Sequence, residues 1–527
     1  MKNNKSTWFT WPRVLLASAV APPVGLVMSW MRPWPSEWGP RSGALAGRIA
    51  FSGILVILTL VYAVALGVLR VEMSGAGWKP FFSFHDPSKD QDSLEKHRVE
   101  QRLAAPIVAA AESAPVVEDK EKPNSESKPA AADPGLADKE AIGPAWTDFR
   151  GPNRVGHYTE GTILTNWPSE GLKPLWKQPI GGGYASFVIA NGKAFTIEQR
   201  RGQEVVAAYD MSSGRELWSH GWPAFFQEAM GGDGPRATPV WDGGRLYALG
   251  ATGQFHVLDA ESGKLIWSKD ILADNGAENI QWGMSNSPLI VDERVIVTPG
   301  GRNGKSVVAY DKRNGRRLWG SLDDSAAYTS PIVTTLAGQR QLVVVTGTRV
   351  TGLTVENGSL LWEFPWITMS NINSAQPIIT DANHVFVSAG YDHGSVLLEI
   401  SKTGTGVAAR PVWETRSMKN RFNSSVVYQG HIYGFDEGIF ACIDSRTGER
   451  KWKGGRYGYG QILLAGEHII VLTESGELVL LRATPESHQE VARFSAIDGK
   501  TWNHMAIAGG ILLVRNTREM AAFRVGP

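Results

Sequence analysis

The stretch Ala237-Thr-Pro-Val-Trp-Asp-Gly-Gly-Arg-Leu-Tyr-Ala-Leu-Gly-Ala-Thr-Gly-Gln-Phe-His-Val-Leu-Asp-Ala-Glu-Ser-Gly-Lys-Leu-Ile-Trp267 decides the fold of this chain. Its four short apolar runs are separated by glycine-containing turns at 242–244, 252–253 and 261–263. Short strands joined by tight glycine turns are typical of antiparallel sheets. The stretch therefore predicts a four-stranded antiparallel unit that ends at Trp267.

The same order of strands and turns returns along the chain, and each copy ends in an aromatic residue. These residues are Trp176, Trp218, Trp267, Trp319, Trp362, Trp413, Trp452 and Phe494, at spacings of 39 to 52 residues. A period of about 45 residues with strand-like units is typical of a β-propeller, a ring of four-stranded blades.

The two ends of the repeat region predict how the ring closes. Seven complete copies are followed by three further strand-like runs before Pro527, whereas the strand around Trp176 has no unit in front of it. Pairing that strand with the last three runs leaves no free sheet edge. We therefore predict an all-β, eight-bladed propeller of four-stranded antiparallel blades over residues 144–527, closed by its N-terminal strand. A seven-bladed ring with the last runs unused is the alternative.

Turn residues recur at fixed distances before the blade-ending tryptophans. An aspartate stands eight positions before four of them, and a glycine stands four positions before five of them. These are Asp210, Asp259, Asp311 and Asp444, and Gly214, Gly263, Gly315, Gly358 and Gly448. The carboxylates can accept turn N–H groups, and the indoles can pack on the neighbouring blade with their N–H on a turn carbonyl. We interpret this set as structural.

The first 72 residues are predicted to be a membrane anchor. They carry two apolar stretches, at about 14–30 and 49–69, and the second is uncharged and long enough to span a bilayer. The first is shorter and is read as a second membrane helix or as a cleaved signal peptide. Positive charges are evenly distributed around both stretches, so they do not fix the orientation in the membrane.

Residues 73–143 are predicted to be a disordered linker. No aromatic residue occurs between His85 and Ala145, where Ala, Pro, Glu, Lys, Ser and Asp dominate. Such a composition buries too little apolar area to offset the entropy of ordering. The loosely helical spacing of Leu94, Val99 and Leu103 predicts a short helix at about 91–105 that does not pack on the rest.

Charge and cysteine content exclude several functions. With 53 Lys and Arg against 52 Asp and Glu, the net charge of +1 gives no reason to expect a nucleic-acid partner. The only cysteine, Cys442, excludes an intrachain disulfide and any multi-cysteine metal site. The eleven histidines show no paired-ligand spacing, so no metal site is predicted.

The unit Leu258-Asp-Ala-Glu-Ser-Gly-Lys-Leu-Ile-Trp267 and its copies before Trp218, Trp319 and Trp452 resemble the tryptophan-docking repeat of pyrroloquinoline-quinone (PQQ)-like propellers. That family contains PQQ-dependent alcohol and sugar dehydrogenases and non-catalytic, BamB-like scaffolds. The lead-in at 146–156, Trp-Thr-Asp-Phe-Arg-Gly-Pro-Asn-Arg-Val-Gly, resembles that of uncharacterised, membrane-tethered members from bacterial envelopes.

The chain departs from both branches of that family. Quinoprotein alcohol dehydrogenases typically close a disulfide between adjacent cysteines over the cofactor and hold calcium with Glu, Asn and Asp, but Cys442 is alone. BamB is held by an acylated N-terminal cysteine, which this chain lacks. The resemblance therefore favours no cofactor, with PQQ and calcium as the alternative.

Ligands of propellers bind where loops into the innermost strands converge at one mouth of the channel. The candidate residues there are Arg236, Trp282, Asn286, Tyr328, Asn373, Arg421, Asn423, Tyr459, Trp502 and His504. Cations at these positions suit an acidic group, and tryptophans suit a planar ring. The alternative interpretation is that polar residues at strand starts satisfy backbone groups.

Two functions follow from the sequence. The favoured one is a non-catalytic scaffold or binding module of the bacterial envelope, anchored in the cytoplasmic membrane, with a protein or polymer partner on the propeller face. The alternative is a PQQ-dependent alcohol or polyol dehydrogenase. The propeller is expected on the extracytoplasmic side, whereas a helical hairpin with its N-terminus inside would place it in the cytoplasm.

Overall fold

The computed structural model describes residues 44–65, 69–73, 80–84, 87–103, 140–228, 231–404 and 406–527, in two compact units. The first unit contains helix α1 (Ala44–Ala65) and the antiparallel strands β1 (Leu69–Met73) and β2 (Pro80–Phe84). Within these ranges, no helix combines the length and apolarity needed to cross a membrane. The membrane helix at 49–69 stays a prediction, and the stretch at 14–30 lies outside the described residues.

The second unit contains Gln91–Pro527 and is dominated by eight four-stranded antiparallel sheets. From inner to outer strand, blades 1 to 4 are β5 to β8 (Val188–Ala190, Lys193–Arg200, Gln203–Asp210, Glu216–Pro223), β9 to β12 (Val240–Asp242, Arg245–Leu249, Gln254–Asp259, Leu265–Asp270), β13 to β16 (Leu289–Val291, Arg294–Val297, Val307–Asp311, Arg317–Ser321) and β17 to β20 (Ile332–Leu336, Gln339–Val345, Arg349–Leu353, Leu360–Pro365).

The remaining blades continue the same order. Blades 5 to 7 are β21 to β24 (Ile378–Asp381, His384–Ala389, Gly394–Thr403, Gly406–Thr415), β25 to β28 (Val426–Tyr428, His431–Asp436, Ile439–Asp444, Arg450–Arg456) and β29 to β32 (Gln461–Ala465, His468–Leu472, Glu477–Arg482, Glu490–Ser495), and blade 8 begins with β33 to β35 (Ala506–Ala508, Ile511–Arg515, Glu519–Arg524). A short helix α3 (Ile271–Asn275) and two 3₁₀ turns (Pro152–Arg154, Met369–Asn371) lie in the connections.

The N-terminal strand closes the ring as the sequence predicts. β4 (Pro174–Pro179) pairs antiparallel with β35 and forms the outer strand of blade 8, so Trp176 ends that blade. The prediction of eight blades is confirmed, and the seven-bladed alternative is wrong. A further short strand, β3 (His157–Tyr158), adds in parallel to the inner edge of blade 7.

The core of the propeller lies between neighbouring blades. One cluster joins Val343 and Val345 of blade 4 to Val385 and Val387 of blade 5, and equivalent clusters occupy the other blade interfaces. Each blade therefore buries both faces against its two neighbours, which is how a chain of this length avoids a single oversized core.

The blade-ending tryptophans bind the next blade through both their ring faces and their N–H groups. The indole of Trp176 packs on Gly214 and donates to the carbonyl of Met211 at 2.9 Å. The same pair of contacts recurs in most blades, as at Trp218 with Gly263 and the carbonyl of Ala260. The structural interpretation of these residues is confirmed.

Blade 4 departs from that pattern. The indole N–H of Trp362 donates to Gln341 Oε1 of its own blade at 2.5 Å, not to a turn of blade 5. Blade 5 has a long hairpin of ten-residue strands, Gly394–Thr403 and Gly406–Thr415, where blades 1, 2, 3, 4 and 6 have a tight turn with the recurring glycine. Trp362 thus finds its acceptor inside its own blade.

Helix α2 (Pro87–Leu103) lies within the predicted linker, where a short helix was expected. Its residues from Gln91 onward belong to the propeller unit, and the side chain of Arg98 is 2% exposed. The prediction that this helix does not pack on the rest is wrong. Buried polar contacts hold this helix to the propeller. The spacing of its apolar residues gives no information about such polar contacts.

Candidate functional site

The blade topology assigns every loop of the ring to one of two faces. Connections from the outer strand of one blade to the inner strand of the next lie on one face, which we call the mouth face. They comprise residues 180–187, 224–239, 271–288, 322–331, 366–377, 416–425, 457–460 and 496–505. The turns that carry Asp210, Asp259, Asp311 and Asp444 lie on the opposite, far face.

A ring of side-chain hydrogen bonds joins the starts of the inner strands. In each step a backbone N–H of one blade donates to a side-chain oxygen of the next. The steps are Ser186 to Thr238 (3.0 Å), Thr238 to Ser287 (3.1 Å), Ser287 to Ser330 (2.9 Å), Ser330 to Gln376 (3.1 Å) and Gln376 to Ser424 (3.1 Å). Ser186 Oγ also donates to the carbonyl of His504 at 2.7 Å, which connects blade 8 to blade 1.

Buried amides next to this ring satisfy backbone groups. Asn373 Nδ2 donates to the carbonyl of Thr346 at 2.9 Å, and Asn503 Nδ2 donates to the carbonyl of Ala185 at 3.0 Å. Asn286 Nδ2 donates to the carbonyl of Thr298 at 3.3 Å, whereas Asn423, which is fully buried, has no partner for either amide atom. Asn286 and Asn373 thus behave as strand-start residues, as the alternative interpretation predicted.

Residues 146–156, which we call the plug, cross the central channel. Trp146 pairs with Ile189 of blade 1, and the carbonyl of Gly156 accepts from the N–H of Leu464 of blade 7 at 2.8 Å. Phe149 packs edge-on against His504 at a centroid distance of 4.9 Å. The plug enters at the far-face ends of the inner strands and reaches the strand starts below the mouth.

Two buried arginines fix the plug to the starts of three inner strands. Arg154 donates to the carbonyls of Ser287 (3.2 Å) and Pro331 (2.8 Å), and it also bonds the carbonyl of Pro288. Arg150 donates to the carbonyls of Ser424 (3.3 Å) and Ser425 (2.7 Å). The planar guanidinium fork lets one side chain satisfy several backbone acceptors from different blades.

Charge and backbone conformation in the plug are both unusual. Asp148 neutralises Arg154 at 2.8 Å, while burial lowers the pKa of Arg150 to about 10. Burial and the nearby Arg150 charge hold the pKa of His504 well below its ordinary value, so this imidazole is neutral at pH 7.

Arg150, Asn153 and Arg154 have φ angles of 60°, 56° and 61°. Such left-handed residues persist only where surrounding contacts hold them, and they concentrate at functional sites.

Above the plug, the mouth has an aromatic rim. Trp502 contacts Phe422 (4.5 Å between centroids) and Tyr184 (5.5 Å), and Phe422 contacts Tyr459 (5.4 Å). On the other side of the mouth, Trp282 contacts Tyr328 at 5.6 Å. The rim thus draws rings from six of the eight inter-blade connections.

Cations are interleaved with these rings. Arg421 lies between Tyr391 (4.5 Å) and Tyr459 (4.8 Å), and its Nε donates to Glu437 Oε2 at 2.8 Å. Glu437 also accepts from the hydroxyl of Tyr459 at 2.8 Å, and burial raises the pKa of that phenol. Arg236 packs over Phe226 at 4.6 Å and bonds two loop carbonyls. These contacts organise the rim before any ligand arrives.

The structure groups the candidate residues at two levels. Arg236, Trp282, Tyr328, Arg421, Tyr459 and Trp502 form the rim, while Asn286, Asn373, Asn423 and His504 lie lower, at the strand starts. Ligand binding by this set stays a prediction.

Sequence reasoning did not identify Tyr184 and Phe422 in the rim, nor Arg150 and Arg154 in the plug. The sequence contains a signal for the first two. Each stands two residues before a ring residue, Ser186 and Ser424, as Tyr328 stands before Ser330. The plug has no such signal, because it occurs once.

The donor sets that metal ions require are not assembled in the part of the chain that the structure describes, since no three His, Cys, Asp or Glu side chains converge there. The thiol of Cys442 is buried and free, and burial raises its pKa to about 12. This cysteine is therefore an inert core residue.

Comparisons with known proteins show what the repeat region is similar to. A family model described as outer membrane protein assembly factor BamB matches residues 201–454. BamB from Moraxella catarrhalis is 15% identical, with a TM-score of 0.47 over 67% of this chain and 97% of that chain. Quinohemoprotein alcohol dehydrogenase from Comamonas testosteroni is 12% identical, with a TM-score of 0.51 over 73% and 81%. No curated protein sequence matches the chain. At 12% identity the dehydrogenase structure shows similarity of the fold alone.

Proposed function

We propose that this propeller, which matches the BamB family model over residues 201–454, is a non-catalytic scaffold that binds a protein or polymer partner on its mouth face. The observation that carries the proposal is the plug. Arg150 and Arg154 tie residues 146–156 to carbonyls of blades 3, 4 and 6, directly below the rim. The channel beneath the mouth is thus occupied by the protein itself, and the accessible surface is the rim and its loops.

The loops around the rim expose apolar side chains suited to a protein partner. Phe225, Ile367 and Met369 are 53%, 65% and 62% exposed, and all three lie in mouth-face connections. Beside a preformed aromatic rim, such side chains are suited to act as anchors for a binding partner. Since Arg421 and Tyr459 are already held by Glu437, a partner would meet an ordered surface and lose less entropy on binding.

The residues present do not fit PQQ with calcium. Arg236 and Trp502 could contact a planar, carboxylated ring, but among the described residues no three His, Cys, Asp or Glu side chains come together to hold a calcium ion. The lone Cys442 is buried away in blade 6, so it cannot provide a disulfide over such a ring. The carboxylates near the rim are engaged as acceptors, as Glu474 is by the indole N–H of Trp502 at 2.9 Å. These residues therefore favour the scaffold over the PQQ-dependent dehydrogenase.

We further propose that the apolar stretch at 49–69 anchors the chain in the cytoplasmic membrane, with the propeller on the extracytoplasmic side. The stretch has the length and uncharged character of a membrane helix. Its support is the sequence alone. Cleavage of the linker by protease added to intact spheroplasts would support this side, and protection until lysis would contradict it.

Site-specific photo-crosslinking tests the binding proposal. A benzophenone amino acid would replace Phe225 or Ile367 on the mouth face of the full chain in cells. Matched far-face positions are Glu356 and Arg446, which are exposed turn residues. We expect discrete cross-linked products from the mouth positions only, suppressed by an excess of purified propeller. Products of equal yield from both faces, or none from the mouth, would contradict the proposal.

A separate assay tests the dehydrogenase alternative. Residues 140–527 would be mixed with PQQ and calcium, and quinone absorbance and alcohol-dependent dye reduction would be followed. We expect neither tight quinone binding nor dye reduction. Stoichiometric quinone uptake with alcohol-dependent turnover would overturn the scaffold proposal.

A further inference from the structure

Helix α2 (Pro87–Leu103) is held to the propeller by a buried arginine. Arg98 donates through Nη2 to the carbonyl of Pro179 at 3.0 Å and to the hydroxyl of Tyr209 at 3.1 Å. Its guanidinium lies 4.9 Å from the Tyr209 ring centroid and 3.5 Å from Glu216 Oε2. One side chain of the helix thus contacts the closing strand of blade 8 and two strands of blade 1.

Polar contacts on either side of Arg98 continue this interface. Gln101 Nε2 donates to Gln178 Oε1 at 3.1 Å, and His97 hydrogen-bonds the same amide oxygen. One turn earlier, Asp92 pairs with Arg201 at 3.0 Å. The contacts at 97, 98 and 101 recur at helical spacing, so they require residues 91–101 to be helical when docked.

The interface is polar and incompletely packed. A cavity of about 410 Å³ lies between the helix and blade 1, lined by Glu95, Arg98, Arg200 and Glu216 among others. The Nε atoms of both arginines are buried and have no hydrogen-bond partner. Because little apolar surface is buried there, the free energy of docking is small compared with that of the blade cores.

The helix also depends on docking for its own stability. An isolated helix of about 12–15 residues is marginal in water even with strong helix formers. The segment Pro-Ser-Lys-Asp-Gln-Asp-Ser-Leu-Glu-Lys-His-Arg-Val-Glu-Gln-Arg-Leu has few apolar residues, of which Leu94 is buried. Folding of the segment and its docking are therefore coupled.

From this geometry we propose that α2 is a reversible latch that docks on the seam between blades 8 and 1. Docking ties residue 91 to the propeller, so only residues 70–90 separate the ring from the anchor, instead of residues 70–143. The latch thereby sets how far from the membrane anchor the mouth face can reach to bind its partner. The effect on tether length rests on the proposed membrane anchor, whereas the docking itself does not.

Hydrogen exchange of the full chain in detergent tests the docking. We expect amides of residues 91–101 to exchange at least about tenfold more slowly than an unstructured peptide, but faster than the blade cores. Arg98→Ala should abolish this protection. The matched control is Lys96→Ala on the exposed side of the helix, where the lysine is 79% exposed. Exchange in the blade cores should be unchanged in both variants.

Two results would overturn the latch. One is exchange of 91–101 at the unstructured rate in the wild-type chain, and the other is wild-type protection in Arg98→Ala. Full protection equal to that of the blade cores would show a permanent strap and would also contradict reversibility.

Energy transfer to labelled lipids tests the effect on tether length. A donor dye would be placed at Glu356→Cys, since the thiol of Cys442 is buried and unreactive. In liposomes that contain acceptor lipids, Arg98→Ala should lower the transfer efficiency, and Lys96→Ala should not. Equal efficiencies would contradict tether control. Failure of the chain to float with liposomes would contradict the proposed membrane anchor. The docking of α2 would still be tested by hydrogen exchange.

Discussion

At Gly263 a single hydrogen side chain makes the contact between two blades possible. Its φ is 72°, and a Cβ built there would lie 2.5 Å from the indole of Trp218. We expect Gly263→Ala to destabilise the propeller by about 2–4 kcal/mol, through backbone strain and overpacking together. Chemical denaturation of residues 140–527 measures this loss.

Gly192 provides the matched control. It has nearly the same φ, 70°, but no atom within 4 Å of an added Cβ. Gly192→Ala therefore carries the backbone cost alone, about 1–2 kcal/mol. Equal losses for the two variants would show that the tryptophan contact contributes nothing.

Glu204 is a buried carboxyl between blades 1 and 2. Its oxygens accept from the N–H of Ala251 at 2.8 Å and from the indole of Trp222 at 3.2 Å, and burial raises its pKa to about 7. Because the folded-state pKa exceeds the unfolded value of about 4.5, the folded chain binds the proton more tightly. The contribution of this carboxyl to stability is then fully present below pH 4.5 and is lost as the pH rises through 7.

Glu204→Gln removes this titration. We expect the variant to lose less stability than the wild type between pH 5 and pH 8, with a difference of about 1–3 kcal/mol. Melting temperatures across this range measure the effect, and the exposed Glu356→Gln serves as the control. Parallel pH profiles for Glu204→Gln and the wild type would contradict the raised pKa.

Among the elements, the plug depends most on one side chain. Removing Arg154 leaves Asp148 and three carbonyls without their partner in a buried channel. We expect Arg154→Ala to cost about 3–5 kcal/mol in denaturation, because breaking a buried pair strands the remaining charge. Arg154→Lys should recover part of that loss, since it restores the charge but not the fork.

Pro152→Ala is the control for the plug, since Pro152 is an exposed residue two positions away. We expect it to change stability by less than about 0.5 kcal/mol. Equal free energies of unfolding for Arg154→Ala and Pro152→Ala would show that the contacts of Arg154 in the plug do not stabilise the propeller.

At the scale of the whole molecule, the sequence predicts the structural features that recur in every blade. It does not predict contacts that occur only once. The ring of eight could be counted because each tryptophan, aspartate and glycine reports the same local turn. The plug and the docked α2 are held by Arg150, Arg154 and Arg98, whose partners lie far away in sequence and belong to no period. The candidate rim residues were found for the same reason as the blades, because they precede the inner strands.

The closure of the ring can be tested by removing its N-terminal parts in order. A chain that begins at residue 140 keeps the plug, and one that begins at residue 160 keeps only the closing strand β4 (Pro174–Pro179). A chain that begins at residue 181 leaves β35 as an open edge over an exposed core, since β4 is its outer neighbour.

We expect the first chain to be the most stable monomer and the second to unfold at a lower temperature, because the carbonyls held by Arg150 and Arg154 lose their partners. The third should aggregate or dimerise, since an unpaired strand recruits another. Adding a peptide of residues 172–181 in excess should restore monomers of the third chain by refilling the edge. Melting temperature and mass by light scattering measure the series. A stable, monomeric third chain without the peptide would mean that blade 8 does not need its fourth strand, and that the ring is held by its blade interfaces alone.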